Sequence, residues 1–186
     1  FYTPREIVKM MVSLLEPKPG ETVYDPACGT GGMLIEAVRQ MDNSKLAYGK
    51  LYGQEKNLST SAIARMNLYL HGAKDFRITQ GDTLREPAFR NGNALKTFDC
   101  VLANPPFSLK NWGSPEFSSD PWGRNIWGAP TDKSADFAWV QHMVCSMDKR
   151  NGRCAVVLPQ GALFHGGKEG AIRKELIKSD RVEAVI

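Results

Sequence analysis

A chain of 186 residues with 42% hydrophobic and 24% charged residues can bury one core and is too short for two comfortable ones. These proportions exclude a disordered tract, and no apolar run approaches the roughly 20 residues that a bilayer span requires. The net charge of +4 permits a polyanionic partner without demanding one.

The sequence opens at Phe1 with no charged-then-apolar leader and stops at Val185-Ile186 inside a predicted strand. Both ends therefore read as cut from something longer, and residues 1–186 as a single domain. Cys28, Cys100, Cys145 and Cys154 show no C-x-x-C spacing that would suggest zinc or a redox pair, so a reduced, cytoplasmic protein is expected.

In chain order, Ile7, Val8, Met11, Val12, Leu14 and Leu15 recur at helical spacing and predict a helix over 4–15, ended by Pro17-Lys18-Pro19-Gly20. A short strand at 21–24 leads through Asp25-Pro26-Ala27-Cys28-Gly29-Thr30-Gly31-Gly32 into a helix at 33–41. The pattern repeats as a strand at 51–55 and a helix at 59–70, whose expected packing face is Ile63, Met66, Leu70 and neighbouring alanines. A strand at 76–79 delivers Gly81-Asp82. Residues 98–103 form a continuous run that is apolar but for Asp99, the mark of a strand buried on both faces, and carry Asn104-Pro105-Pro106-Phe107 at its C-terminal end. Residues 108–133 are rich in Gly, Pro, Ser, Asn and Trp and show no period, which predicts a long irregular segment of the kind that is usually functional. A helix at 134–147, a strand at 153–158, a helix at 169–177 and a sixth strand at 181–186 complete the order. The alternation predicts an α/β fold: a largely parallel sheet in a three-layer α/β/α sandwich.

Two segments carry chemistry. Gly29, Gly31 and Gly32 let the backbone approach a ligand closely, and the helix that follows offers unpaired N–H groups to an anionic group such as a carboxylate. The spacing matches neither a dinucleotide fingerprint nor a P-loop. Glu55, at the end of the second strand, stands where an acidic residue reaches a ribose hydroxyl, and Asp82, after the third, can accept from an adenine amino group. The second segment is Asn104-Pro105-Pro106-Phe107. An amino group conjugated to a ring is a poor nucleophile because its lone pair is delocalised. Holding both of its hydrogens on acceptors favours the pyramidal, attacking form, and the Asn104 side-chain oxygen with the Pro105 carbonyl can be those acceptors. Phe107 would stack on the extruded ring. Such a site works by orientation toward an in-line methyl donor and needs no metal.

The two segments, at this separation, resemble the paired signature motifs of amino-group DNA methyltransferases. With Phe1-Tyr2-Thr3-Pro4-Arg5, Gly53-Gln54-Glu55 and Gly81-Asp82-Thr83-Leu84, the whole chain is similar to the N6-adenine DNA methyltransferases that form the modification subunit of type I restriction-modification systems. The resemblance implies a Rossmann-like, S-adenosylmethionine-dependent methyltransferase fold. It implies that Tyr2, Thr3 and Pro4, with the loop Asp25, Cys28, Gly29, Thr30, Gly31 and Gly32, line the methionine end of S-adenosylmethionine. Glu55 would hold the ribose, Asp82 and Thr83 the adenine, and Asn104, Pro105, Pro106 and Phe107 would be catalytic. DNA is the implied substrate, and a specificity subunit and a restriction subunit the implied partners. An antiparallel closing strand is expected beyond Ile186.

Trp112, Trp122, Arg124 and Trp127, with Lys110 and Lys133, read either as a stacking and phosphate-contacting lip or as a local hydrophobic plug. His71, His142 and His165 show no ligand spacing, and Lys168, Arg173, Lys174 and Lys178 read as a solvated helix face. The same Asn-Pro-Pro-aromatic chemistry also serves protein glutamine or RNA bases. A scaffold that binds cofactor but is inactive without partners is the third alternative.

Overall fold

The computed structural model describes residues 3–41 and 50–186. Helix α1 (Arg5–Leu15) is followed by β1 (Thr22–Asp25), α2 (Gly32–Gln40), β2 (Lys50–Glu55), α3 (Leu58–Leu70) and β3 (Phe76–Gln80). A two-residue hairpin of β4 (Arg90–Asn91) and β5 (Ala94–Leu95) precedes β6 (Cys100–Ala103). Then come α4 (Ser114–Ser118), α5 (Asp136–Cys145), β7 (Arg153–Val156), a 3-10 turn (Gln160–Leu163) and α6 (Gly167–Lys178).

Five strands form one sheet in the order β3-β2-β1-β6-β7, with every neighbouring pair parallel. Because side chains alternate across a strand, the sheet has two buried faces. Val23, Cys100 and Leu102 point into a core shared with Val12 and Leu15 of α1, Leu34 and Ala37 of α2, and Ala64 and Leu68 of α3. Tyr24, Val101 and Ala103 point the other way, onto Phe89, Phe98 and Met143 of α5. Helix α6 joins that side through Ile172, which packs with Phe137, Val140 and Val144. These are the three layers the alternation predicts. Fully burying one such aliphatic side chain contributes about 1.5–3 kcal/mol.

Helix α1 buries Val8, Met11, Val12 and Leu15, a single stripe at helical spacing. Its C-terminal end is fastened to the sheet by Arg153, which donates to the Leu15 and Glu16 carbonyls and pairs with Glu21 at 2.7 Å.

Three expectations need correction. Helix α3 packs through Ser61, Ala64 and Leu68, while Ile63, Met66 and Leu70 are exposed. The glycine loop approaches α3 so closely that a Cβ on Gly31 would lie 3.6 Å from that of Ala64, so small residues take the inner face. Residues 181–186 form no strand and are exposed. Their β-branched residues favour an extended chain, but strand propensity depends on a paired neighbour, and none of the described residues pairs with them. The hairpin of β4 and β5 was not expected, although its two-residue turn Gly92-Asn93, with Gly92 at φ 63°, is the local signal for it.

Candidate active site

In a parallel sheet every strand delivers its C-terminal end to the same edge, and the crevice opens where the strand order reverses. Here the order runs outward from β1 to β2 and β3 on one side, and from β6 to β7 on the other. The loop after β1 is therefore flanked by Glu55 and Asp82 on one side and by Asn104 on the other.

The glycine loop is shaped by its own backbone. Gly29 and Gly31 take φ values of 51° and 85°, and Gly31 caps α2. Both lie in the left-handed region that glycine tolerates without penalty. The Cys28 N–H donates to the Gln54 carbonyl at 3.0 Å, and the Gly31 N–H to the Cys28 carbonyl at 2.8 Å. Asn67 of α3 donates from Nδ2 to the Thr30 carbonyl at 3.0 Å, a support that no sequence spacing announces. A Cβ placed on Gly29 or Gly32 would meet nothing within 4 Å, so open space lies in front of the first turn of α2. That space faces the N–H groups of a helix start, which suits a carboxylate.

Glu55 receives the Gly29 N–H on Oε2 at 3.1 Å and the Asn57 N–H on Oε1 at 2.8 Å. Each oxygen keeps a further lone pair for a hydroxyl. Asp25 is 2% exposed and accepts from the Ala27 N–H at 3.0 Å. Burial pushes its carboxyl up to about 7; the Ala27 hydrogen bond opposes this and the nearby charge of Glu55 adds to it. Cys28 is buried and its thiol is pushed well up, by burial first and then by Asp25 and Glu55, so it packs rather than attacks.

Asp82 caps its own turn, accepting from the Leu84 and Arg85 N–H groups at 3.1 and 3.3 Å, and pairs with Lys56 at 3.0 Å. Thr83 is buried, and its hydroxyl donates to the Pro26 carbonyl at 2.6 Å. It thus bolts the loop after β3 to the loop after β1.

On the other flank, Asn104 Nδ2 donates to Thr3 Oγ1 at 3.0 Å. With Nδ2 engaged by Thr3, the amide oxygen is the acceptor left to the Asn104 side chain. Pro105 is buried, Pro106 exposed, and Phe107 48% exposed. Tyr2 lies outside the described residues; Thr3 and Pro4 are described.

The long segment after Phe107 resolves the two readings of its tryptophans. Trp112 is buried, donates to the Thr131 carbonyl at 3.0 Å and meets Phe117 edge to face. Arg124 is 1% exposed and donates from Nε and Nη2 to the one Asp120 oxygen Oδ1, at 3.0 and 2.6 Å, its guanidinium lying 5.2 Å from the Phe117 ring and 5.0 Å from that of Trp122. Trp127 packs against the cluster of Phe137, Val140 and Ile172. These residues form a plug that closes one side of the site, while Lys110 and Lys133 are exposed. His142 is also buried, and burial, followed by the charge of Arg124, drives its ring well down, so it is neutral and bonds the Tyr24 hydroxyl at 3.0 Å. Among the described residues no cluster of His, Cys, Asp or Glu could hold a metal ion, and no helix is long and apolar enough to cross a membrane.

The family model described as N-6 DNA Methylase matches residues 1–186. The methylase subunit of the type I restriction enzyme MjaVII of Methanocaldococcus jannaschii is 40% identical over all of this chain, which covers 32% of that protein. The HindI methylase subunit of Haemophilus influenzae is 35% identical, again over the whole chain and 41% of that protein. The methyltransferase subunit of a type I restriction-modification system from Streptococcus thermophilus superimposes with a TM-score of 0.85 at 37% identity, over 96% of this chain and 38% of that one. The chain thus spans about a third to two fifths of the length of the proteins it matches.

Proposed function

The chain belongs to the N-6 DNA methylase family, and we propose that it carries the catalytic core of a type I modification subunit, transferring a methyl group from S-adenosylmethionine to the N6 amino group of adenine in DNA. One observation carries the reading. Asn104, at the end of β6, is held by Thr3 with its amide oxygen left to accept, one strand away from a glycine loop that opens a helix. An acceptor of this kind, next to a helix start that suits an anionic group, supports the reading of an amino-group methyltransferase.

The donor set fits S-adenosylmethionine. The N–H groups at the start of α2, bared by Gly29, Gly31 and Gly32, suit its carboxylate; Thr3, Pro4, Asp25, Cys28 and Thr30 line the same end, as Tyr2 does by the family resemblance. Glu55 holds the ribose hydroxyls on its spare lone pairs, and the turn of Asp82 and Thr83 flanks the adenine. When bound, the cofactor supplies an electrophilic methyl group on a sulfonium centre. Asn104 Oδ1 and the Pro105 carbonyl each accept one hydrogen of the target amino group, which frees its lone pair for attack. Pro106 stiffens the turn, and the half-exposed Phe107 ring offers the face on which an extruded base stacks. Orientation of this kind accounts for large rate factors without a strong base.

The matched relatives are named as subunits of restriction enzymes. A specificity subunit and a restriction subunit are accordingly the proposed partners, DNA the substrate and the cytoplasm the compartment. Nothing in these relatives favours a protein glutamine or an RNA base as acceptor.

Calorimetric titration of S-adenosylmethionine into the wild-type protein and a Gly31→Asp variant tests the cofactor half. Saturable binding in the first, lost in the second, is expected. Transfer of a labelled methyl group to adenine N6 of duplex DNA, in the presence of the partner subunits, tests the rest. A folded wild type that binds no cofactor overturns the reading.

A further inference from the structure

We propose that Asp136 is a positioning residue for the acceptor loop, holding the turn after Phe107 and, through it, Asn104 and Phe107 in their working arrangement. The inference rests on the function proposed above. Asp136 opens α5 and is 3% exposed. Its Oδ1 accepts the N–H of Ser108 at 2.8 Å. Ser108 is the residue directly after Asn104-Pro105-Pro106-Phe107, and it stands at φ 50°, in the left-handed region that non-glycine residues seldom occupy. Such a conformation is disfavoured for a residue with a Cβ and persists only where neighbours impose it. The Asp136 carboxylate is the neighbour that captures the amide exposed by this turn.

The second oxygen argues that the acid is kept for this task. Asp136 Oδ2 is buried and has no hydrogen-bond partner. Ala135 and Ala138, on either side of it in α5, belong to an apolar cluster with Leu84, Trp112 and Trp139. Leaving a buried acceptor unpaired is unfavourable, the more so for a charged group. A residue chosen for stability alone would not carry that second oxygen. Trp139, one helical turn further on, has an indole N–H that is equally buried and unpartnered. A donor and an acceptor thus stand unspent along the same helix beneath the site.

The test compares wild type with Asp136→Ala and Asp136→Asn, the second keeping an oxygen that can accept from Ser108. Three quantities are read on each: S-adenosylmethionine affinity by calorimetry, amide hydrogen exchange at Ser108, and the single-turnover rate of adenine methylation with the KM for duplex DNA. In Asp136→Ala, Ser108 exchange should accelerate at least about tenfold and the rate fall about a hundredfold, the scale expected of a small misplacement of reacting groups. The affinity for cofactor and the KM should stay within about threefold, whereas general loosening of the fold would move them together. Asp136→Asn should retain Ser108 protection and a rate within about fivefold of wild type. An unchanged rate in Asp136→Ala, a rate loss without faster Ser108 exchange, or a folded Asp136→Asn as impaired as expected for alanine would each overturn the proposal. A wild type that binds cofactor but does not methylate adenine would instead overturn the function proposed above, and Ser108 exchange would still report on the role of Asp136.

Discussion

Arg124 donates from Nη1 to the Thr83 carbonyl at 2.9 Å, so a side chain of the long tryptophan-bearing segment holds the turn proposed above to flank the adenine of the cofactor. Its other nitrogen reaches the Leu84 carbonyl at 2.8 Å and Asp120 at 2.6 Å. The planar fork of a guanidinium can serve three acceptors in this way; a lysine ammonium cannot span them.

Arg124→Met should therefore lower the unfolding free energy by about 3–5 kcal/mol, because it leaves the Asp120 carboxylate buried without its partner and two carbonyls unpaired. Arg124→Lys should recover less than about half of that loss. Urea unfolding followed by tryptophan fluorescence would measure both. A loss below about 1 kcal/mol in the methionine variant would mean that Asp120 is rehydrated on the surface and that the segment is not a fixed wall.

Gly31 stands at φ 85° with Ala64 close to the position its Cβ would take. Alanine there forces a left-handed conformation on a residue with a Cβ, which costs roughly 1–2 kcal/mol. It also displaces the N–H groups that are to meet the cofactor carboxylate. Gly31→Ala should weaken S-adenosylmethionine binding at least about tenfold, and Gly31→Asp should abolish it by adding a negative charge at the same helix start. Gly29→Ala carries the same left-handed strain at φ 51°, and its Cβ would enter the open space in front of α2, so it too should weaken cofactor binding.

Much of this was legible from residues alone, because its signals are local. Glycines at a strand-to-helix turn fix backbone geometry without reference to anything distant, and the largely apolar run at 98–103 identifies the inner strand that carries Asn104. The inward face of α3 was not legible: two sets of residues share the helical period, and only the approach of Gly31 selects Ala64 over Ile63 and Met66. Arg124 was ambiguous for the same reason. A basic residue between tryptophans reads equally as a DNA contact, and it is Asp120, Thr83 and Leu84, the last two some 40 residues distant, that bury it. Residues 181–186 have the composition of a strand, but pairing depends on a neighbour that composition does not describe.

Asn104 and Thr3 make a prediction with two grades. Asn104→Ala removes the proposed acceptor for the target amino group and should lower the methylation rate by about 10²–10³-fold, the usual consequence of losing one preorganised hydrogen-bonding group, with cofactor affinity unchanged. Thr3→Val leaves the Asn104 amide in place but removes the acceptor of its Nδ2, so the amide can rotate. A loss of roughly tenfold is expected, since the productive orientation is then only one of two. Equal rates for wild type and Thr3→Val under single-turnover conditions would show that Asn104 is oriented by something else.

Asp25 ties the site to pH. Its carboxyl, ordinarily near 3.8, is pushed up to about 7 in the folded chain, chiefly by burial. Between those values the folded state holds a proton that the unfolded state has released, so the unfolding free energy falls as pH rises from about 4 to about 7 and is flat on either side. A rise of that size bounds the contribution at on the order of 4 kcal/mol. Asp25→Asn, which never ionises, should lack that slope and be relatively more stable than wild type at pH 8 than at pH 4. Cofactor binding should run the other way. S-adenosylmethionine is cationic at its sulfonium and its ammonium, and it favours the ionised carboxyl, so wild-type affinity should rise by up to about tenfold from pH 6 to pH 8. Calorimetry at pH 6 in two buffers of different ionisation enthalpy should register release of up to one proton, absent in Asp25→Asn. Pairing with the cation replaces solvation that burial denies to Asp25, so the two pH dependences have a single origin and should disappear together in the asparagine variant. A flat affinity profile in wild type would place the cofactor's charges away from Asp25 and leave that carboxyl as a packing element of β1.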